Sequence, residues 1–390
     1  MTIVVTGADG YIGWPTILKL AKEFPDARIV GIDNFARRKW VEEVGSTSII
    51  PIAPMEKRLK KAHELGFRNI SFIRGELTDR EFVRTIIKVF KPEVVLHLAA
   101  QPSAPYSQIN LDKAYYTQKN NVLGTLNLLW ALREEGLTNT HFIETTTTGV
   151  YGAPNLRIPE GFIEVFDKEG NKDVLPFPNI ASSFYHVTKG FDAVNMWLMN
   201  MQTGMPCTDV RTSIVYGTDT EETMLDEKLS TRFDVDFYFG TLFNRWAAML
   251  IANYPLTVYG SGKQIKPFIS LEDACQSLVN IVKKGNDGEY RVYNQLVEYV
   301  RIRNLAEDLN KAAEEVLGKS PGVEFIPNPR KEKEESEYKF DNSNFLKVLG
   351  KPKHEKMAKV LPEVVERLEK YSQVINTYKD VFIPKKVVRK

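Results

Sequence analysis

Short apolar runs alternate with amphipathic stretches along the first half of the chain. Thr2-Ile3-Val4-Val5-Thr6 is a β-branched run of strand length, and Ile17, Leu18, Leu20 and Ala21 follow at helical spacing after a glycine-rich turn. Arg28 to Ile32 and Ile70 to Arg74 predict two more strands. Gly75 to Val89 predicts a helix started by Thr78 or Asp79, whose side-chain oxygens can accept from free backbone N–H groups. Val94 to Ala100 is apolar without alternation, as in a strand buried on both faces of a parallel sheet, and His97 within it reads as a hydrogen-bonded core histidine. A long helix over 111–135, a strand over 141–146, a helix over 183–201 and a strand over 208–215 complete the series. This alternation predicts an α/β fold, a Rossmann-type doubly wound parallel sheet that takes ligands at the carboxyl ends of its strands.

Two stretches interrupt the pattern. Residues 34–69 hold Pro51, Pro54 and a charged helix over 56–65, and residues 149–182 are rich in Gly, Pro, Asn and charge. The second is too long for a connector and reads as either a substrate-covering loop or a subunit contact. After an acidic loop over 219–236, helices over 241–253, 271–284, 302–317 and 361–377 mix with short strands. The expected division is a sheet domain over 1–215, with later returns to it near 241–284, and a smaller mixed α/β substrate-binding domain over 216–390, interleaved with the first. The run Lys385 to Lys390 reads as a solvated tail.

Charge and composition narrow the function. Lys plus Arg number 52 and Asp plus Glu 50, a net charge of +2 without a basic stripe, which argues against nucleic acid as a partner. Cys207 and Cys275 are too few for a disulfide framework, and His63, His97, His141, His186 and His354 show no paired ligand spacing, so no metal is expected. No apolar run approaches membrane-spanning length and no basic, apolar leader is visible, so a soluble cytoplasmic protein is expected.

The glycine turn carries the first candidate chemistry. Gly7, Gly10 and Gly13 between a strand and a helix permit a tight turn, backbone approach to a pyrophosphate, and close helix packing. Three spaced glycines alone also describe an ordinary turn, but Asp33 ends the next strand about 20 residues on, where a ribose-binding carboxylate is expected. A carboxylate there favours NAD over NADP, while Arg37 and Arg38 just beyond could instead meet a 2′-phosphate. Tyr185 and Lys189 stand four apart on one helix face, and Thr147 ends the fifth strand. A phenol needs roughly 4 kcal/mol of help to act as a base near neutrality, and a nearby ammonium supplies part of it. Together the three describe oxidation of an alcohol by a nicotinamide cofactor.

With Asn120-Asn121-Val122-Leu123-Gly124-Thr125 and Val150-Tyr151-Gly152, these features resemble the extended short-chain dehydrogenase/reductase superfamily, whose members act mostly on nucleotide sugars. A narrower set covers nearly the whole chain. Gln101-Pro102-Ser103-Ala104-Pro105-Tyr106-Ser107, Ala181-Ser182-Ser183-Phe184-Tyr185-His186, Phe239-Gly240-Thr241, Leu256 to Gly260 and Pro327-Asn328-Pro329-Arg330 look like the UDP-sulfoquinovose synthases, in a prokaryotic, archaeal form. That resemblance implies oxidation of UDP-glucose at C4, loss of the C5 proton and C6 hydroxyl, addition at C6 of sulfite, either free or brought by a sulfite-delivering protein, and return of the hydride to C4. It implies Tyr185 as base and then acid, Lys189 as its tuner, Thr147 as partner of the C4 hydroxyl, and His186 as either the C5/C6 proton carrier or an orienting neighbour.

For NAD the resemblance implies Gly7, Asp9, Gly10, Tyr11, Ile12, Gly13, Asp33, Asn34, Arg37, Arg38, Glu76, Leu77, Ala99, Gln101, Asn121, Tyr185 and Lys189. The Asn121 amide is placed either near the active site or in a core hydrogen bond. For the UDP-sugar it implies Ser103, Thr147, Tyr185, Arg211, Thr241, Asn244, Arg245, Thr257, Tyr259, Lys266 and Arg330. A homodimer through the helices over 111–135 and 183–201 is implied as well. Four positions depart from related patterns: Thr148-Gly149 stand where 4,6-dehydratases carry Asp-Glu, Pro102 where plant members carry arginine, and Lys266 where arginine is common. Two other functions share these features, a 4-epimerase or other nucleotide-sugar dehydratase using the same triad, and a non-catalytic NAD sensor, against which the retained triad argues.

Overall fold

In the computed structural model, which describes residues 1–152, 154, 156–328, 339–354 and 356–384, strand β1 (Thr2–Thr6) lies inside a seven-stranded sheet. Its neighbours are β2 (Arg28–Asp33) and then β3 (Ile70–Arg74) on one side. On the other side come β4 (Val94–His97), β5 (His141–Thr147), the strand Cys207–Thr212 and the strand Tyr290–Gln295, and every pairing is parallel. The chain runs outward from β1 in one direction and resumes at β4 in the other, which opens a crevice between β1 and β4 at the carboxyl ends.

Successive residues of β1 serve opposite layers, as strand geometry requires. Ile3 and Val5 pack with α1 (Gly13–Glu23) and with the helix Leu271–Lys284, whereas Val4 packs with α4 (Arg80–Phe90), α5 (Leu111–Glu134) and α6 (Phe184–Thr203). Burying each such side chain is worth about 1.5–3 kcal/mol, so a one-residue slip of β1 would forfeit both layers. A second core forms around Phe243, Trp246 and Leu250 of the helix Leu242–Ile251, with Leu256, Val258, Phe268, Leu305 and Leu361. Ile49 and Ile50 belong to this second core, so the excursion over 34–69 leaves the sheet and reaches across to it.

Several boundaries differ from the sequence expectation. The apolar run from Val94 leaves the sheet after His97, where the backbone turns into the crevice. The strand expected over 208–215 is broken at Ser213, and Ile214–Tyr216 pairs with Ile265–Ser270 in a separate three-stranded sheet. The helix expected over 361–377 is two helices, Leu361–Glu369 and Ser372–Thr377. Much of the acidic loop over 219–236 is buried, because its carboxylates are paired: Glu222 with Lys19, Asp219 with Arg367, and Asp234 with Arg232 and Arg37. Residues 149–182 hold a hairpin of Phe162–Phe166 and Lys172–Pro176. The run Lys385 to Lys390 lies outside the described residues. Among the described residues no helix is long and apolar enough to cross a membrane.

Candidate active site

The glycine turn is set by contacts that exclude side chains. Gly7 has φ of +74°, and a Cβ there would stand 2.7 Å from backbone atoms of Leu98 and Ala99; one on Gly13 would stand 2.0 Å from the Gly7 carbonyl oxygen. The turn can therefore close against the end of β4 and start α1 directly beneath it. Above it opens a cavity of about 450 Å³. Gly7, Gly10, Tyr11, Ile12, Gly13, Asp33, Asn34, Arg37, Glu76, Leu77 and Ala99 line its dinucleotide end.

Asp33 accepts hydrogen bonds from the Asp9 N–H at 2.9 Å and the Phe35 N–H at 2.6 Å. Burial, and then the charge of Asp9, push its pKa up to about 6, so it is ionised at neutral pH. Asp9 itself is no part of the cavity wall. Its carboxylate is buried and takes bidentate hydrogen bonds from Arg38, both at 2.7 Å, and a third from Arg58 at 2.8 Å. Arg37 is held by Asp234 at 2.8 Å and stacks on Phe239 at 4.2 Å. Both arginines that could have met a 2′-phosphate are thus engaged by carboxylates, and the ionised Asp33 repels one. The bed fits NAD.

Two further residues expected at the cofactor act from behind. Gln101 is fully buried and reaches Thr117 Oγ1 and the Ser103 carbonyl. The Asn121 amide clamps the Gln101 backbone, accepting from its N–H at 2.8 Å and donating to its carbonyl at 3.1 Å. The propensity cost of an asparagine inside α5 secures the loop after β4, and neither side chain lines the cavity.

Thr147, Tyr185, His186 and Lys189 all line this same cavity. Thr147 is the last residue of β5, and its hydroxyl accepts from the Gly149 N–H at 3.1 Å. Ser183 caps α6 by accepting from the His186 N–H at 3.1 Å, so Tyr185 stands in the first turn, where the helix dipole favours an anion. Burial raises the Tyr185 pKa; the Lys189 cation pulls it down, Asp192 and Glu144 push it up, and Arg37 lowers it again. Burial opposes the Lys189 cation, but Glu144 at 2.7 Å and Asp192 at 3.5 Å outweigh that and hold its pKa above the usual lysine value. The ring of His186 lies 5.2 Å from that of Tyr185, and its Nδ1 is 3.4 Å from Ser182 Oγ. A Cβ on Gly149 would come within 2.3 Å of His186 Nε2, so the imidazole fills the space a side chain at 149 would need.

At the far end, Thr241, Arg245, Thr257, Tyr259 and Lys266 line the cavity, joined by Gln264 and Asn328. Thr241 Oγ1, Arg245 Nε, Thr257 Oγ1, Tyr259 OH and Gln264 Oε1 are buried with no hydrogen-bond partner among the described residues, a concentration that suits a polar ligand. Ser103 also reaches the cavity and donates to the Tyr238 carbonyl at 2.5 Å. Arg211 and Asn244 are not in the wall. Arg211 pairs with Asp209 at 2.9 Å and stacks on Tyr151, and Asn244 holds the Gly217 N–H at 2.9 Å and the Tyr11 hydroxyl at 3.1 Å. Arg330 lies outside the described residues. None of the described residues from 149 to 182 lines the cavity.

Trp40, Tyr238 and Arg232 in the cavity wall, and Arg58 and Glu144 behind it, carry no motif that marks them in the sequence. Asp192 stands three residues after Lys189 on α6, and its partner Glu144 comes from β5.

The model of the NAD dependent epimerase/dehydratase family matches residues 3–294. The chain is 38% identical over 376 residues to the chloroplastic UDP-sulfoquinovose synthase of Spinacia oleracea, covering 96% of this chain and 77% of that one. It is 38% identical over 391 residues to the UDP-sulfoquinovose synthase of Sulfolobus acidocaldarius, covering 100% and 98%. In fold it resembles the UDP-glucose 4-epimerase of Thermotoga maritima, solved with UDP-glucose, with a TM-score of 0.68 at 20% identity over 95% of this chain and 99% of the other. The dTDP-glucose 4,6-dehydratase of Bacillus anthracis, solved with NAD, gives 0.67 at 18% identity over 96% and 98%. The chain belongs to the NAD-dependent epimerase/dehydratase family, and within it to the UDP-sulfoquinovose synthases.

Proposed function

We infer that this chain converts UDP-glucose and sulfite to UDP-sulfoquinovose and water, with its NAD restored in each cycle. The observation that carries this reading is the placing of His186 beside Tyr185 in the room left by Gly149. A 4-epimerase needs only the Thr147, Tyr185 and Lys189 constellation. Making an alkene also needs a group to move protons at C5 and C6, and the Asp-Glu pair that dehydratases use is absent here. An imidazole titrates in the range that task requires.

NAD, held by the glycine turn and Asp33, would supply a hydride acceptor and donor for C4. Tyr185 takes the C4 hydroxyl proton and gives it back at the end, Lys189 stabilises the phenolate, and Thr147 holds the C4 oxygen. With C4 a ketone, the C5 proton is acidic; His186 removes it and protonates the departing C6 hydroxyl. Sulfite, entering as bisulfite, then forms a C–S bond at C6 as the C5–C6 double bond opens, and His186 carries the bisulfite proton to C5. Thr241, Arg245, Thr257, Tyr259, Gln264 and Lys266 bind the UDP moiety, with Arg330 as a further phosphate contact. Purified protein given UDP-glucose and then sulfite should yield a sulfonated sugar nucleotide by mass spectrometry. UDP-galactose with no sulfonated product would replace this reading with epimerisation.

NAD affinity should depend on Asp33. Ribose hydroxyls donate to its ionised form, and its pKa in the folded protein is raised to about 6. The dissociation constant measured by calorimetry should therefore rise as pH falls through that value, up to about tenfold per pH unit. An affinity flat across this range would remove Asp33 as the ribose ligand.

The active unit is a homodimer in this reading. On α5, Leu111, Tyr115, Leu123 and Trp130 are exposed in one stripe, and on α6 Phe191, Val194, Leu198 and Met201 form another. Two adjacent helices with bare apolar faces suit a four-helix contact between copies. Light scattering should give twice the chain mass, and Leu198→Glu should give a monomer that keeps its fold by circular dichroism. A monomeric parent protein would refute the assembly.

A further inference from the structure

We infer that Glu144 and Asp192 form an acid pair that shares one proton beneath Lys189 and, as positioning residues, keep the three-residue cluster electrically neutral while Tyr185 ionises. Glu144 comes from β5, three residues before Thr147, and Asp192 from α6, three residues after Lys189. Both carboxylates are 0% exposed and Lys189 is 2% exposed. The Lys189 ammonium donates to Glu144 Oε1 at 2.7 Å and lies 3.5 Å from Asp192 Oδ2. The two carboxyls lie within hydrogen-bond reach of each other, and Thr125, whose Oγ1 is 3.4 Å from Glu144 Oε2, reaches both.

Two buried anions around one cation leave a net negative charge in a medium that solvates it poorly, and the usual resolution is that one carboxyl keeps its proton. Among the described residues no other countercharge faces the pair. Thr125 from α5 passes the contact to His97 of β4, 3.1 Å away, which in turn meets Thr6 of β1 at 2.7 Å. Burial, aided by the Lys189 charge, keeps His97 neutral, and burial keeps the Cys207 thiol protonated on the neighbouring strand. Arg37 bears on the Tyr185 phenol, but its own charge is matched by Asp234. Burial and mutual repulsion raise the pKa of Glu144 well above the carboxylate range, and burial raises that of Asp192. The proton belongs to the pair, and a neutral cluster lets Lys189 offset the phenolate without a second anion cancelling it.

Amide substitutions separate this from two ionised carboxylates, because an amide imitates a protonated carboxyl. Glu144→Gln and Asp192→Asn should each leave one anion and one neutral partner. The pH midpoint for Tyr185 ionisation, followed as rapid formation of reduced cofactor after mixing with UDP-glucose, should stay within about 0.3 unit of the parent in each single variant. The double variant leaves an uncompensated cation, and its midpoint should fall by about one unit or more. If both carboxylates are ionised, each single substitution moves the midpoint down by as much as the second one does, and the inference fails. This kinetic arm rests on Tyr185 as the base. Infrared difference spectra between the parent holoenzyme and each single variant at neutral pH do not: a buried protonated-carboxyl stretch should be present in the parent and lost in both variants. Its absence from the parent protein overturns the acid pair even if the double variant does not fold.

Discussion

Tyr185→Phe should lower UDP-sulfoquinovose formation by about 10²–10⁴-fold while leaving the protein folded and able to bind NAD, because the change removes only the atom that exchanges a proton with C4. Tyr185 is half-buried, and its aromatic ring packs equally well as phenylalanine. The reduced-cofactor absorbance that UDP-glucose elicits should disappear together with product. Such a loss locates the defect in the first chemical step. A variant that still reduces its cofactor at the parental rate would remove Tyr185 from that step.

His186→Gln and Gly149→Ala are expected to fail later in the cycle. In both, UDP-glucose should still reduce the cofactor, whereas sulfonated product should fall by about 10²–10⁴-fold, the usual worth of one acid–base group. Gly149→Ala does not touch the imidazole chemically. Its new methyl group would stand 2.3 Å from His186 Nε2, and the ring, as the end of a rotatable side chain, gives way. Thermal stability should therefore change little, in contrast with a glycine that faces backbone. Parental product formation in Gly149→Ala would mean that the position of the ring does not matter, and His186 would be left as an orienting neighbour of Tyr185.

The parts of this site that lie close together in sequence were readable from it. The turn over 7–13, the carboxylate at 33 and the Tyr185–Lys189 spacing each depend on one strand or one helix, where periodicity and glycine placement are local signals. The sheet followed for the same reason. Charge pairing across distant segments was not readable. Asp9 and Arg38 were expected at the cofactor, yet they are tied to each other and to Arg58, and Arg211 was expected at the sugar, yet it is tied to Asp209. An exposed arginine and a buried, paired one look the same in a sequence. The loop over 219–236 read only as acidic because cations that pair with it, Lys19, Arg37 and Arg367, come from elsewhere in the chain. His97 was readable as a core histidine because the run around it has no polar alternation.

The loop over 217–231 also grips the glycine turn from outside. Thr231 donates to the Tyr11 carbonyl at 3.0 Å, Trp14 Nε1 donates to the Leu229 carbonyl at 2.8 Å, and the Tyr11 hydroxyl donates to the Gly217 carbonyl at 2.5 Å. Backbone that must present N–H groups to a pyrophosphate is thereby stiffened during folding, so little entropy remains to be lost when the dinucleotide docks. Affinity for the cofactor consequently extends to side chains it never meets: loosening Trp14 or Thr231 would make the empty turn more mobile and the same contacts weaker.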